Sequence, residues 1–140
     1  MGEQRMRYRT PTKKSKYWTD PRRYKHAISW CLCYPLWIKE LETLPDANKG
    51  IDYSKDKVQS SGDYDITSET ALKRVELEQK VNLLETTARL VTEDLSEWLI
   101  KGVTEEDVKA DDLIAQGMPC APKLYYQLRQ KFYYMIARKI

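Results

Sequence analysis

Residues 104–140 read TEEDVKADDLIAQGMPCAPKLYYQLRQKFYYMIARKI, and the middle of this stretch decides the fold. Gly117 follows a helical pattern, and Pro119 comes two residues later. Glycine accepts the left-handed conformation that closes a helix and proline cannot continue one, so a helix should end near Gln116. Pro122 suits a first helical position, where its missing N–H would be unpaired anyway. A second helix should therefore begin there, after the four-residue bridge Gly117–Cys120. Two helices joined by so short a turn form a helix-turn-helix.

Working outward, Thr104-Glu105-Glu106-Asp107 has the form of a capping box and predicts the start of the first helix, with acidic side chains beside its positive end. Its buried side would be Ala110, Leu113 and Ile114, with Val108 at the edge and Asp111 and Asp112 in water. On a wheel of about 100° per residue, the second helix gathers Leu124, Tyr125, Leu128, Phe132, Met135 and Ile136 on one arc, the expected core. Lys123, Gln127, Gln130, Lys131, Tyr134 and Arg138 fall opposite, flanked by Tyr126, Tyr133 and Arg129. From Met118 to Ile140 there are five Lys/Arg and no Asp/Glu, which suits a surface facing phosphate. Gln can reach base edges, and Tyr can contact sugar or phosphate. The competing explanation is a terminal helix whose cations complement its own dipole.

Charge is unevenly distributed along the 140 residues. Residues 1–25 hold nine Lys/Arg against Glu3 and Asp20, and residues 26–117 hold ten basic against nineteen acidic residues. Both ends are basic and the middle is acidic, an arrangement that lets the ends bind a polyanion despite a net charge of only +3. No run of 18 apolar residues predicts a transmembrane helix, and the basic start leads into polar sequence rather than a signal-peptide core. The expectation is a folded, soluble, cytoplasmic protein that does not engage a membrane.

Residues 1–18 form a basic arm in which Arg5, Arg7 and Arg9 are candidate phosphate contacts, the alternative being a plain disordered terminus. Thr19-Asp20-Pro21 supplies an N-cap followed by a first-position proline and opens an N-terminal helix over 19–45. Tyr24, Ile28, Cys31, Pro35, Ile38 and Leu41 repeat at threes and fours, and Pro35 should kink or split this helix near Tyr34. Residues 46–66 read as a linker.

A helical domain over 67–140 completes the chain. Its long helix carries a seam of Leu77, Val81, Leu84, Ala88 and Val91, with Leu72, Val75, Leu83 and Leu90 beside it. That seam predicts packing within the chain or, alternatively, against a second copy in a homodimer. A short helix over 93–101 follows, capped by Thr92, ended by Gly102 and anchored by Trp98 under the helix-turn-helix. The fold class is all-α.

Nothing here has the form of an active site: there is no glycine-rich phosphate loop, no serine elbow and no helix with paired histidines. Cys31 and Cys33, two apart on a helix, point to different sides and match no common zinc spacing, so reduced buried thiols are expected and neither metal nor cofactor.

Trp-Leu-Ile-Lys-Gly-Val-Thr (98–104), Met-Pro-Cys (118–120) and the Tyr-Tyr pairs at 125–126 and 133–134 resemble small proteins of Gram-positive phages and prophages, the RinA and ArpU group of late-gene transcriptional activators. Their C-terminal part is similar to promoter-reading region 4 of sigma factors. The resemblance implies binding of double-stranded DNA inside a bacterial host, contact with host RNA polymerase, and a base-reading helix from Pro122 onward with Lys123, Tyr126, Gln127 and Gln130 nearest the groove. Ala121, Pro122 and Lys123 depart from the family pattern, standing where such a helix often has a hydroxyl cap and an arginine. Two other expectations stay open: an inhibitor of a host machine, of the anti-CRISPR type, acting by protein binding, and a packaging component like a small terminase subunit.

Overall fold

The computed structural model describes residues 11–44 and 61–140, and among them the protein is all-α. Six helices follow in order: α1 (Pro21–Leu32), α2 (Tyr34–Thr43), α3 (Ser61–Val91), α4 (Ser96–Thr104), α5 (Ala110–Ala115) and α6 (Pro122–Ala137). None is long and apolar enough to cross a membrane.

The chain clusters into two units, Met1–Tyr34 with Leu83–Ile140, and Pro35–Asn82. The N-terminal helix α1 thus belongs with the C-terminal helices rather than forming a domain of its own.

In the first unit, α1 begins as the sequence predicts. The Asp20 carboxylate accepts from the Arg22 N–H at 2.9 Å, and Pro21 holds the first position. At the other end the proline splits the helix: α1 closes with the Cys33 N–H bonded to the Trp30 carbonyl at 3.1 Å, and a new helix starts at Tyr34. Proline lacks the N–H needed to carry the ladder through.

α6 packs chiefly on α1 and also on α5 and α4. The core is built from rings. Tyr24 of α1 meets Tyr133 of α6 edge-on at 5.4 Å, and Tyr133 meets Phe132 at 5.8 Å. Leu84 and Ala88 of α3, Leu99 and Val103 of α4, and Leu113 of α5 complete it, all essentially excluded from water.

The two connections around α4 differ from expectation. The short helix predicted over 93–101 runs instead from Ser96 to Thr104. Thr92 holds the turn before it, accepting from the Leu95 N–H at 3.3 Å. Gly102 does not end this helix; it lies inside it, where Tyr125 and Leu113 press so close that no side chain fits. Thr104 does not open the next helix either, since its hydroxyl donates back to the Ile100 carbonyl at 2.7 Å. The chain turns through Asp107, at φ 61°, and α5 starts only at Ala110. There the Asp112 carboxylate accepts from the Lys109 N–H at 2.9 Å, so only one half of a capping box forms, five residues later than read, because a lysine side chain has no acceptor to return it.

In the second unit, α2 lies against the first part of α3. Trp37, Leu77 and Val81 are buried, and the Lys80 ammonium sits 5.7 Å from the Trp37 ring. Arg74 donates to the Leu44 carbonyl at 3.1 Å, and Lys73 pairs with Glu40 at 3.5 Å. Because 37 lies near 80 and 44 near 74, the two helices run in opposite directions. The exposed Lys73–Glu40 pair contributes little to stability. The expected linker over 46–66 falls outside the described residues as far as 60, and its last six residues are the opening turns of α3.

The buried tyrosines give the fold a pH limit. Burial pushes the Tyr24 hydroxyl up from its ordinary 10.0, and the Tyr133 hydroxyl further, with the Arg129 charge opposing part of each shift. Burial, then the hydrogen bond to Glu85, raises Tyr34 to about 12. A group whose pKa is raised on folding contributes stability that is complete below its unfolded pKa and is lost above it. Burial also pushes the Cys31 thiol well above its ordinary 9.0, so thermal melts should be flat near neutral pH, begin to fall near about pH 9 and drop more steeply above about pH 10, the onset of tyrosine ionisation in the unfolded chain. Tyr133→Phe should flatten that drop. An unchanged drop would assign it to other groups.

Candidate nucleic-acid interface

The turn that the sequence places at Gly117 forms as predicted. Gly117 has φ 116°, its N–H bonds to the Ile114 carbonyl at 3.0 Å, and the Met118 N–H reaches back to the Leu113 carbonyl at 3.0 Å. This paired closure is a Schellman motif, with Met118 and Leu113 both buried as its apolar contact. Trp98 lies beside the turn, its ring edge 3.9 Å from where a Gly117 side chain would start. Pro122 then opens α6 at its first position.

The buried arc of α6 is not the one predicted. Tyr125, Arg129, Phe132, Tyr133 and Ile136 are buried, while Leu124 is 43% exposed and Leu128 and Met135 are half-buried. By helical geometry this rotates the core side by about 60° from the predicted arc. The reason lies in Arg129. Its guanidinium is 4.8 Å from the Tyr126 ring centre and 5.8 Å from that of Tyr125, so rings rather than water surround the charge. Arg129 and Tyr133 are thus interior residues rather than flanks of an outer face.

Of the expected contact residues, Lys123, Gln127 and Arg138 are exposed, and Gln130, Lys131 and Tyr134 are half-buried. Lys123, Gln127, Lys131, Tyr134 and Arg138 lie on the side of α6 opposite its buried arc. Tyr126 is used internally: its hydroxyl accepts from the Ala110 N–H at 3.2 Å and so caps the start of α5. Arg5, Arg7 and Arg9 lie outside the described residues.

The described part of the basic arm is folded into turns. Ser15 N–H bonds to the Thr12 carbonyl at 2.9 Å, Trp18 N–H to the Ser15 carbonyl at 3.1 Å, and the Ser15 hydroxyl accepts from the Tyr17 N–H at 3.1 Å. These turns place the Tyr17 ring 5.7 Å from that of Tyr134. Two cations bracket the ring pair, with Lys16 at 5.1 Å from the Tyr17 centre and Arg138 at 5.2 Å from that of Tyr134. Arg138 also donates to the Tyr134 hydroxyl at 2.9 Å.

Lys13, Lys14 and Lys16 are exposed, and so are Arg22, Arg23 and Lys25 at the start of α1. The only acidic residue of that segment, Asp20, is engaged in its cap. Sequence reasoning placed Lys13–Tyr17 in the arm without seeing that it docks on α6. The segment Lys13-Lys14-Ser15-Lys16-Tyr17 has no periodic pattern that would mark it as docked.

Among the described residues no group of three His, Cys, Asp or Glu side chains is placed to hold a metal ion. No family model, curated protein or solved structure matches the chain.

Proposed function

We propose that this protein is a double-stranded DNA-binding regulator that presents the outer side of α6 to the groove and the 11–20 segment to the neighbouring phosphates. One observation carries the reading: the contact of Tyr17 with Tyr134 brings the two basic ends of the chain together. A field from either end alone would be modest; joined, they form the local patch that releases counterions from DNA. The Gly117 turn and the Tyr126 hydroxyl hold α5 and α6 in a helix-turn-helix, the arrangement that lays a second helix in the major groove. The resemblance of the 98–104, 118–120 and 125–134 motifs to phage late-gene activators supports a role upstream of late genes in a bacterial host, with host RNA polymerase as the protein partner.

Fluorescence anisotropy with a labelled duplex at low and physiological salt tests the reading. Binding should weaken steeply as salt rises. Lys16→Glu and Lys131→Glu should each reduce affinity roughly tenfold or more at low salt, and each should lower the salt slope by about one. Both variants should keep the parent melting temperature. A protein that binds no duplex at low salt would sink the reading and turn attention to a protein partner.

A further inference from the structure

Leu124 is the residue of α6 that the core does not explain. It occupies the third position of the helix and is 43% exposed, on a side otherwise presenting Lys123, Gln127, Lys131 and Arg138. Leu124, Gln127 and Lys131 are spaced three and four apart, so they share one stripe. The first turns of a helix entering the major groove are the part that meets base edges. In that position Gln127 has the amide to pair with the N6 and N7 of adenine, whereas an apolar side chain has one natural target in the groove, the 5-methyl of thymine.

Resting on the DNA-binding reading above, we infer that Leu124 is a specificity-determining residue that packs on a thymine methyl group, one helical turn before Gln127. The site it reads therefore contains thymine, and the ligand is B-form DNA and not RNA. RNA lacks the methyl, and the deep, narrow major groove of its A-form duplex does not admit the side chains.

Duplexes enriched from a random-sequence pool by the full chain provide the probe. The best one is synthesised with thymine and again with every thymine replaced by uracil, which removes only the methyl groups. The parent protein should bind the uracil duplex about fourfold more weakly, the effect of one buried methyl-sized group. Leu124→Ala should bind both duplexes alike, at the affinity the parent shows for the uracil form. Equal binding of the two duplexes by the parent overturns the inference while leaving DNA binding intact. So does a Leu124→Ala protein that still prefers thymine. If no duplex is retained even at low salt, DNA binding itself fails, and the inference fails with it.

Discussion

Tyr133→Ala is expected to remove about 3–5 kcal/mol of stability, the cost of truncating a fully buried ring. Tyr133 is 1% exposed and sits between Tyr24 and Phe132 at edge-on distances of 5.4 and 5.8 Å, so its removal opens a cavity beside two other buried rings. Domains of this size are stable by only about 5–15 kcal/mol, so the variant should be near the limit of folding at 37 °C. Leu124→Ala should change stability by less than about 1 kcal/mol, because a side chain 43% exposed has far less contact to lose than a fully buried ring. Urea titrations of the two variants read the orientation of α6 directly. A larger loss from Leu124→Ala than from Tyr133→Ala would mean that Leu124, and not Tyr133, faces the core.

Gly102→Ala should destabilise the protein by about 1 kcal/mol although alanine is the better helix former. A methyl on Gly102 would fall on the Tyr125 hydroxyl, within 2.9 Å of the ring carbon behind it and 3.2 Å from a Leu113 methyl. Tyr125 is 1% exposed and has nowhere to retreat. Overpacking of this kind costs roughly 1–3 kcal/mol, against the 0.5–1 kcal/mol that glycine gives up inside a helix. The partner variant separates the two terms. Tyr125→Phe removes the oxygen that the methyl would strike, so the double variant Gly102→Ala, Tyr125→Phe should be more stable than the sum of its single changes predicts, with a coupling of about 1 kcal/mol. Strict additivity in thermal or urea unfolding would show that the helices separate slightly to accept the methyl.

What the sequence made legible was local. The Gly117 closure, Pro122 at a helix start, the Asp20–Pro21 cap and the split before Pro35 each depend on one residue's backbone chemistry, and each stands where the pattern placed it. The seam of Leu77, Val81, Leu84, Ala88 and Val91 was equally plain as a buried stripe: its first four members are buried and Val91 is half-buried.

The misreadings came from residues whose chemistry permits two answers. Glu105, Glu106, Asp107, Asp111 and Asp112 all lie near one helix start, and composition does not say which carboxylate closes the cap; Asp112 does. Gly102 suits a helix end and also suits a place where another helix passes close, and only the distant Tyr125 decides between them. On α6 a hydropathy wheel sends Arg129 to the flank of the outer face, while the rings of Tyr125 and Tyr126, four and three residues earlier on the same helix, lie beside its guanidinium and let it be buried. The docking of Tyr17 on Tyr134 joins residues more than a hundred positions apart, beyond the reach of any local pattern.

The hydroxyl of Tyr126, bonded to the first backbone N–H of α5, ties two helices together through a single oxygen. With the Gly117 closure on one side and the Tyr17 ring on the other, α6 is fixed at its beginning, along its flank and near its end. A surface held in this way has little backbone freedom left to lose when something binds to it. The enthalpy of its contacts is then not consumed by ordering the helix, and association should proceed as the meeting of two preformed shapes.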